Sequence, residues 1–389
     1  MSPATPADEA GTIEPSVQAI DRPVSLRIRE CRLPDESRWA EFVEAHPQGM
    51  IYQHPAWVTA LEEEYGRKSC TLLCEDERGQ LRGVLSLLAT RGLPFNWGGQ
   101  TGRRLASLPR TPLAGPLALD AEAAAALLRA ASRHDHVQSG LQLQIRSLDS
   151  SLADMLPGMA ASLWKEVYVL DLPSEPERLR LGTRSKQRHR IKWAVNRALK
   201  LGVQIREADN EADLRAWYEL YLETMRWHVS PPRPYRFLLA LWDRLRPVGK
   251  LRLLLAEQRS GARAALLAGY LLLMCGSTVH CYLNGRRRDS LALHPNDLLQ
   301  WQAISEACRQ GYRRYDFGEV ELGQRGLAEF KTKWGAVPLR SYRYCFPKPR
   351  LLPVQKTAAR SIPSLAAALW RRLPLAATAS LGDWIYRYL

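Results

Sequence analysis

The chain has 389 residues and a formal net charge of +15, so it has room for two domains with ample core. A hydrophobic fraction of 46% is ordinary for a globular protein and excludes disorder except at the ends, while the charge argues for an anionic partner such as tRNA, a nucleotide-linked substrate, coenzyme A or an acidic membrane surface. No apolar run approaches the ~20 residues that cross a bilayer, and the opening MSPATPADEAGTIEPS lacks a basic region followed by an apolar core, which predicts a cytoplasmic protein.

Residues 1–22, rich in Pro, Ala and acidic side chains, read as a disordered lead. A strand over Val24–Arg29 is predicted next, then amphipathic helices over Arg38–His46 and Ala56–Tyr65, the second stopped by Gly66. Cys70–Cys74 and Gly83–Leu88 read as strands around a polar turn. Gly92–Pro116 reads as a long loop, in which the glycines and arginines of Trp97–Arg104 suit either a surface loop or a phosphate cradle. An Ala/Leu helix over Ala121–Ser132 and strands over Leu141–Ile145 and Glu166–Leu170 complete a first module.

Residues 178–206 hold ten Arg or Lys and no Asp or Glu. Much of this is a helix with Ile191, Val195, Ala198 and Leu199 as its apolar stripe and Gly202 as its stop. Ten like charges repel one another unless an anion relieves them, so Arg188, Arg190 and Lys192 are candidates for anion binding, against a merely solvated face. A helix over Asp213–Trp227 delivers Arg226 and His228 to a Pro-rich turn; Arg226 suits bidentate binding of phosphate or carboxylate, and His228 a proton transfer near neutral pH. Strands over Leu251–Glu257, Ala264–Met274 and Thr278–Leu283 follow, and Asn296 is placed as the cap of a helix over Asp297–Gln310. The segment Cys74–Leu88 also echoes Ala256–Leu273, which points to a duplicated architecture.

Gly311–Gly335 gathers the densest chemistry. Gly311 suits the left-handed position after a helix, Arg314–Phe317 a strand ended by Gly318, and Gly326 the approach to a helix with Leu327, Phe330 and Trp334 on one face and Lys331 and Lys333 elsewhere. Beyond it, the tail 348–389 carries seven Lys or Arg against Asp383 alone, interleaved with Leu and Trp; it suits a helix on an anionic leaflet as well as helices packed on the body. The seven cysteines are an odd number without metal-ligand spacing, so free thiols and no metal site are expected.

Tyr315-Asp316-Phe317-Gly318, Gly326-Leu327 and Phe330-Lys331-x-x-Trp334-Gly335 resemble the carboxy-terminal signature of FemABX-like transferases, and equally the Fem-related acyltransferase domain within the GNAT superfamily, common in envelope and exopolysaccharide systems. The resemblance spans most of residues 40–346. It implies an α/β fold of tandem GNAT-like modules, 23–172 and 173–347, each a mixed central sheet flanked by helices, followed by the basic helical tail. By that resemblance Lys331 supplies positive charge beside the donor carbonyl or terminal phosphate. Asp316 is a carboxylate that orients the acceptor, acts as a base or ties down the Gly318 turn, and Glu319 and Glu321 suit an ammonium. Phe330 stands at the substrate or in the core.

The resemblance also implies an amine-bearing acceptor and a donor that is either acyl-CoA or aminoacyl-tRNA. Where the family carries a glycine-rich pyrophosphate loop, residues 284–290 have one glycine and Arg286, Arg287 and Arg288: either these arginines replace the loop as the donor-binding candidates, or the donor is not CoA. A catalytically silent GNAT scaffold at the membrane surface is the remaining alternative.

Overall fold

Helix stops and apolar alternation fix most of the elements. The computed structural model describes residues 25–92, 103–260, 263–349 and 364–388. Its first half runs β1 (Arg27–Glu30), α1 (Glu36–Ala45), α2 (Pro55–Tyr65), β2 (Cys70–Glu75), β3 (Leu81–Thr90), β4 (Arg104–Ala106), β5 (Leu117–Ala118), α3 (Ala121–Ser132), α4 (Asp135–Gln138), β6 (Gln142–Ser147), α5 (Leu152–Met155) and β7 (Ala160–Asp171). The second runs α6 (Ser185–Lys200), β8 (Val203–Glu207), α7 (Glu211–Trp227), α8 (Tyr235–Leu245), β9 (Leu251–Ser260), β10 (Arg263–Cys275), β11 (Thr278–Arg286), α9 (Pro295–Arg309), β12 (Arg314–Glu321), α10 (Arg325–Lys333) and β13 (Val337–Phe346). Two tail helices follow, α11 (Ser364–Arg372) and α12 (Leu375–Tyr386).

The strands form one sheet in the order β1-β2-β3-β4-β6-β13-β7-β12-β11-β10-β9-β8, with β5 pairing beside β3. Neighbours are antiparallel except at two equivalent places, β4 with β6 and β11 with β12. The two halves of this order mirror each other, and the β2–β3 and β9–β10 hairpins that echo in sequence occupy matching positions. Each half borrows its innermost strand: β7 pairs with β12, and β13 pairs with β6, so the final strand of each module joins the sheet of the other.

Helices cover both faces. α1, α2, α7 and α8 bury Trp57, Trp217 and Phe237 against one face. On the opposite face α6 and α9 cover the second half around Tyr315 and Trp334, and α3 and α5 cover the first. Apolar area removed from water at ~25 cal/mol per Å² is the main favourable term in such layers. α7 lies flush on its strands because Gly285 has no side chain: a Cβ there would stand 2.7 Å from the Tyr221 nitrogen.

Several elements depart from expectation. β4 arises inside the segment read as a loop, where too few residues pair for periodicity to register; Trp97–Gly102 lie outside the described residues. β8 and α8 follow the basic helix and the Pro-rich turn where no element was predicted. Asn296 does not cap α9: the helix starts at Pro295, after His294 in the left-handed region at φ 54°. Gly318 does not end β12 but bulges it, at φ 78°, and the strand continues to Glu321. Leu199, assigned to the buried stripe of α6, is exposed, while Ile191, Val195 and Ala198 are buried.

Candidate functional site

β11 and β12 run parallel through three cross-strand pairs, Thr278 with Arg314, Val279 with Tyr315 and His280 with Asp316. Beyond that last pair β11 stays with β10 and β12 stays with β7, so the two strands part. Side chains alternate across a strand, which sends His280 and Asp316 to one face and Tyr315 and Phe317 to the other. The first face forms the floor of a 740 Å³ cleft, roofed by residues 47–53, 113–121 and 147–155 of the first half.

His280 and Asp316 are both buried, and His280 Nδ1 lies 2.9 Å from Asp316 Oδ2. The other carboxylate oxygen accepts from the Gly318 N–H at 2.7 Å, so Asp316 does tie down the turn and at the same time holds the imidazole. The carboxylate accepts only, so Nδ1 carries the proton and Nε2 is left as an acceptor. Nε2 is buried with no hydrogen-bond partner among the described residues. Tyr52 packs its ring 5.3 Å from the imidazole.

Lys331 reaches the same bulge from α10, on the opposite face. Expected to project away from the packed side of its helix, it is buried instead, its ammonium 5.8 Å from the centre of the Tyr168 ring and bonded to backbone carbonyls of the bulge. Nζ donates to Gly318 O at 2.8 Å and Glu319 O at 3.1 Å. An ammonium has three donors, so one N–H is left without a hydrogen bond to the described residues. Burial pushes this ammonium down to about 8, partly opposed by the charge of Asp316. Phe330 is partly buried and Trp334 fully buried, both in the apolar cluster beneath α10.

Glu319 Oε2 lies 3.2 Å from Lys165 Nζ, a partner on β7 that the sequence reading did not identify. The exposed Glu321 reaches the same ammonium at 4.0 Å. The other candidates gather elsewhere. Arg226 donates to the Leu373 carbonyl at 3.0 Å and so braces the tail. His228 ends α7, where burial and the charges of Arg286 and Arg371 lower its affinity for a proton. Arg286 ends β11 with its backbone N–H on Thr224 Oγ1, Arg287 pairs with Asp289 at 2.9 Å, and Arg288 stacks 3.5 Å above the Trp227 ring. These three stand in the connection from β11 to α9.

Arg188, Arg190 and Lys192 are exposed along α6; Arg188 also donates to the Gly182 and Thr183 carbonyls at 3.3 Å. Exposed Trp193 stands among them. The tail is no free element: α12 sets Gly382 against Pro232 and pairs Asp383 with Arg236, whereas α11 leaves Leu365 and Leu369 exposed. Among the described residues no helix is long and apolar enough to cross a membrane.

His280, which stands on the cleft floor beside Asp316, was not among the candidates read from the sequence. Its signal was a polar residue in the middle of an apolar strand, Val279-His280-Cys281, matched by Tyr315-Asp316-Phe317 on another strand.

Residues 185–332 match the acetyltransferase (GNAT) domain family. No curated protein matches the chain. Among solved structures, FemX superposes at a TM-score of 0.63 with 16% identity, over 82% of this chain and 96% of that one. The C-terminal domain of a putative lysylphosphatidylglycerol synthetase from Agrobacterium fabrum superposes at 0.54 with 10% identity, over 81% and 92%. A protein of unknown function from Bacteroides thetaiotaomicron gives 0.54 with 13% identity, over 82% and 99%. The GNAT match is thus confined to residues 185–332, and the fold over most of the chain is like that of FemX.

Proposed function

We propose that the protein is an N-acyltransferase that moves an acyl group from acyl-CoA to an amino group of a sugar, peptide or other envelope-related precursor. The observation that carries this reading is the gap between β11 and β12 with Lys331 bonded to the β12 bulge, one N–H uncommitted. An acyl carbonyl held there has its developing oxyanion beside a desolvated positive charge, where such a charge acts most strongly. The amine nitrogen bonds to the acyl carbon, the C–S bond breaks, and the amine proton goes to the departing thiolate. Arg286, Arg287 and Arg288 stand at the connection into α9 and supply positive charge for the donor's phosphates in place of a glycine loop.

A second reading, aminoacyl transfer from tRNA, draws on the exposed basic face of α6, where Arg190 and Lys192 flank Trp193. Arginine and lysine beside an exposed aromatic suit single-stranded nucleic acid. Anionic membrane association through α11, with Leu365 and Leu369 beside Arg371 and Arg372, is compatible with either.

The test is thermal stabilisation by acetyl-CoA and longer acyl-CoAs, beside charged and uncharged tRNA at physiological salt, followed by thiol release on adding primary amines. Saturable stabilisation by an acyl-CoA, roughly 2.7 kcal/mol at a hundredfold excess over its dissociation constant, is expected. Preference for charged tRNA would replace this donor with the second. Silence from both would leave a binding scaffold, and Lys331→Ala with unchanged thiol release would remove Lys331 from the reaction.

A further inference from the structure

The cleft floored by His280 and Asp316 has a charge opposite to that of the whole chain. In a protein of net charge +15, its described lining carries Asp120, Asp149, Asp171 and Asp316 against the single guanidinium of Arg314. Asp120 is paired with Arg82 at 2.6 Å, Arg314 stands 3.7 Å from Asp171, and Asp149 is exposed at the rim with Ser151 donating to it, which leaves the buried Asp316 to set the sign of the interior. Low-dielectric walls of one sign concentrate ions of the other. A phosphate ester is repelled by this lining, and an ammonium is drawn in.

A second and independent feature points the same way. His280 is 2% exposed, and its Nε2 has no partner among the described residues, which is costly for a buried polar atom unless something occupies the cleft to satisfy it. We infer that the cleft takes the acceptor as a small organic ammonium free of phosphate, and that His280 Nε2 removes its proton, with Asp316 as the positioning residue. This rests on the transferase reading above.

The step balances without any redox partner. An ammonium has no lone pair, so it must shed a proton before its nitrogen attacks. Nε2 accepts that proton and releases it to water in the open cleft, the N–C bond forms as the C–S bond breaks, and Nε2 takes the second amine proton and passes it to the leaving thiolate. Asp316 stabilises the imidazolium and fixes the tautomer. The titratable groups facing the ring are Asp316 from β12, Tyr52 from the turn before α2, and Tyr282 further along β11, with Arg314 and Asp171 at the rim. Asp316 supplies the one negative charge in contact.

The experiment pairs a binding readout with a kinetic one. In protein with isotope-labelled histidine, ethylamine, ethanol and ethyl phosphate are titrated separately while the His280 ring resonances, assigned through His280→Gln, are followed. Ethylamine is expected to shift them saturably and ethyl phosphate is not; no ethylamine shift, or an equal shift by ethyl phosphate, overturns the acceptor site. With acetyl-CoA and the best amine of the panel, His280→Gln is expected to lower kcat about 100-fold or more and to abolish the acid limb of the pH profile, with acetyl-CoA stabilisation unchanged. Asp316→Asn should lower kcat and displace that limb. A folded His280→Gln protein with wild-type kcat and acid limb sinks the assignment of the base. Failure of every amine to release thiol fails the transferase reading instead, and the resonance shifts still decide the binding claim.

Discussion

The Lys331 ammonium donates to the Gly318 carbonyl at 2.8 Å, while the Gly318 N–H donates to Asp316 at 2.7 Å, so a single bulged glycine ties the cation on one face of the sheet to the acid on the other. The bulge needs glycine because its φ of 78° is in the left-handed region.

Because burial brings Lys331 down to about 8, its charge is lost within an accessible range. If the ammonium is the group that acts, thiol release should decline above pH 8, and Lys331→Arg should move that decline upward, since a guanidinium keeps its proton. Stability should move the other way. The folded protein sheds this proton at about 8 and the unfolded chain near 10.5, so stability gains from this group as pH rises between them. The difference in melting temperature between wild type and Lys331→Met, measured at pH 7 and pH 10, should shift in favour of wild type at the higher pH.

Arg29 serves two carboxylates at once, Asp35 at 2.6 Å and Glu75 at 2.7 Å, and joins β1 to the start of α1 and the end of β2. Its hydrogen bonds hold Asp35 down at about 2 and lower Glu75 as well. Such carboxylates stabilise the fold above their ordinary range, and that contribution is lost as pH falls towards 2. Arg29→Met should cost about 2 kcal/mol at pH 7 and much less at pH 3, in chemical denaturation at the two pH values. An equal cost at both would mean that the arginine acts by packing alone.

Much of this fold was legible in residues, and the reasons are local. α3 could be read from Ala121–Ser132 because helical propensity, the Asp120 cap and an apolar face all agree there. Gly66 stopped α2 by the same local logic. β4 was hidden because three residues carry no period, and the borrowed strands were hidden because pairing between β7 and β12, or β13 and β6, is a long-range choice that neither sequence states alone. At the site, Lys331 and Asp316 were reachable through a motif. His280 required knowing that two polar residues on separate strands face each other.

α12 docks through Thr378, Gly382 and Tyr386, four residues apart and all buried. A Cβ on Gly382 would stand 2.6 Å from the Pro232 carbonyl oxygen, and backbone cannot retreat as a side chain can. Gly382→Val should therefore lift the helix and raise hydrogen exchange across Leu375–Tyr386 by an order of magnitude or more, with exchange in β9 to β11 unchanged. Unchanged protection of α12 would show that its other contacts, including Asp383 with Arg236, suffice to hold it.

The exchange of inner strands makes the two modules interdependent. Cut between residues 172 and 173, the first half keeps β7 but loses β13, which fills the place between β6 and β7; the second half keeps β13 but loses β7, which fills the place between β13 and β12. Each fragment would expose the edge of β6 or β12 and an unpaired apolar strand, the condition that leads to aggregation. Neither 25–172 nor 173–389 alone should melt cooperatively as a monomer, whereas the two expressed together should assemble into a one-to-one complex with the wild-type circular dichroism spectrum. A monomeric half with a sharp thermal transition would show that its own sheet suffices and that the shared strands join two independent folds. Failure of the halves to assemble together, with each aggregating, would mean that β7 and β13 must be laid down within a single chain for the central ladder to form.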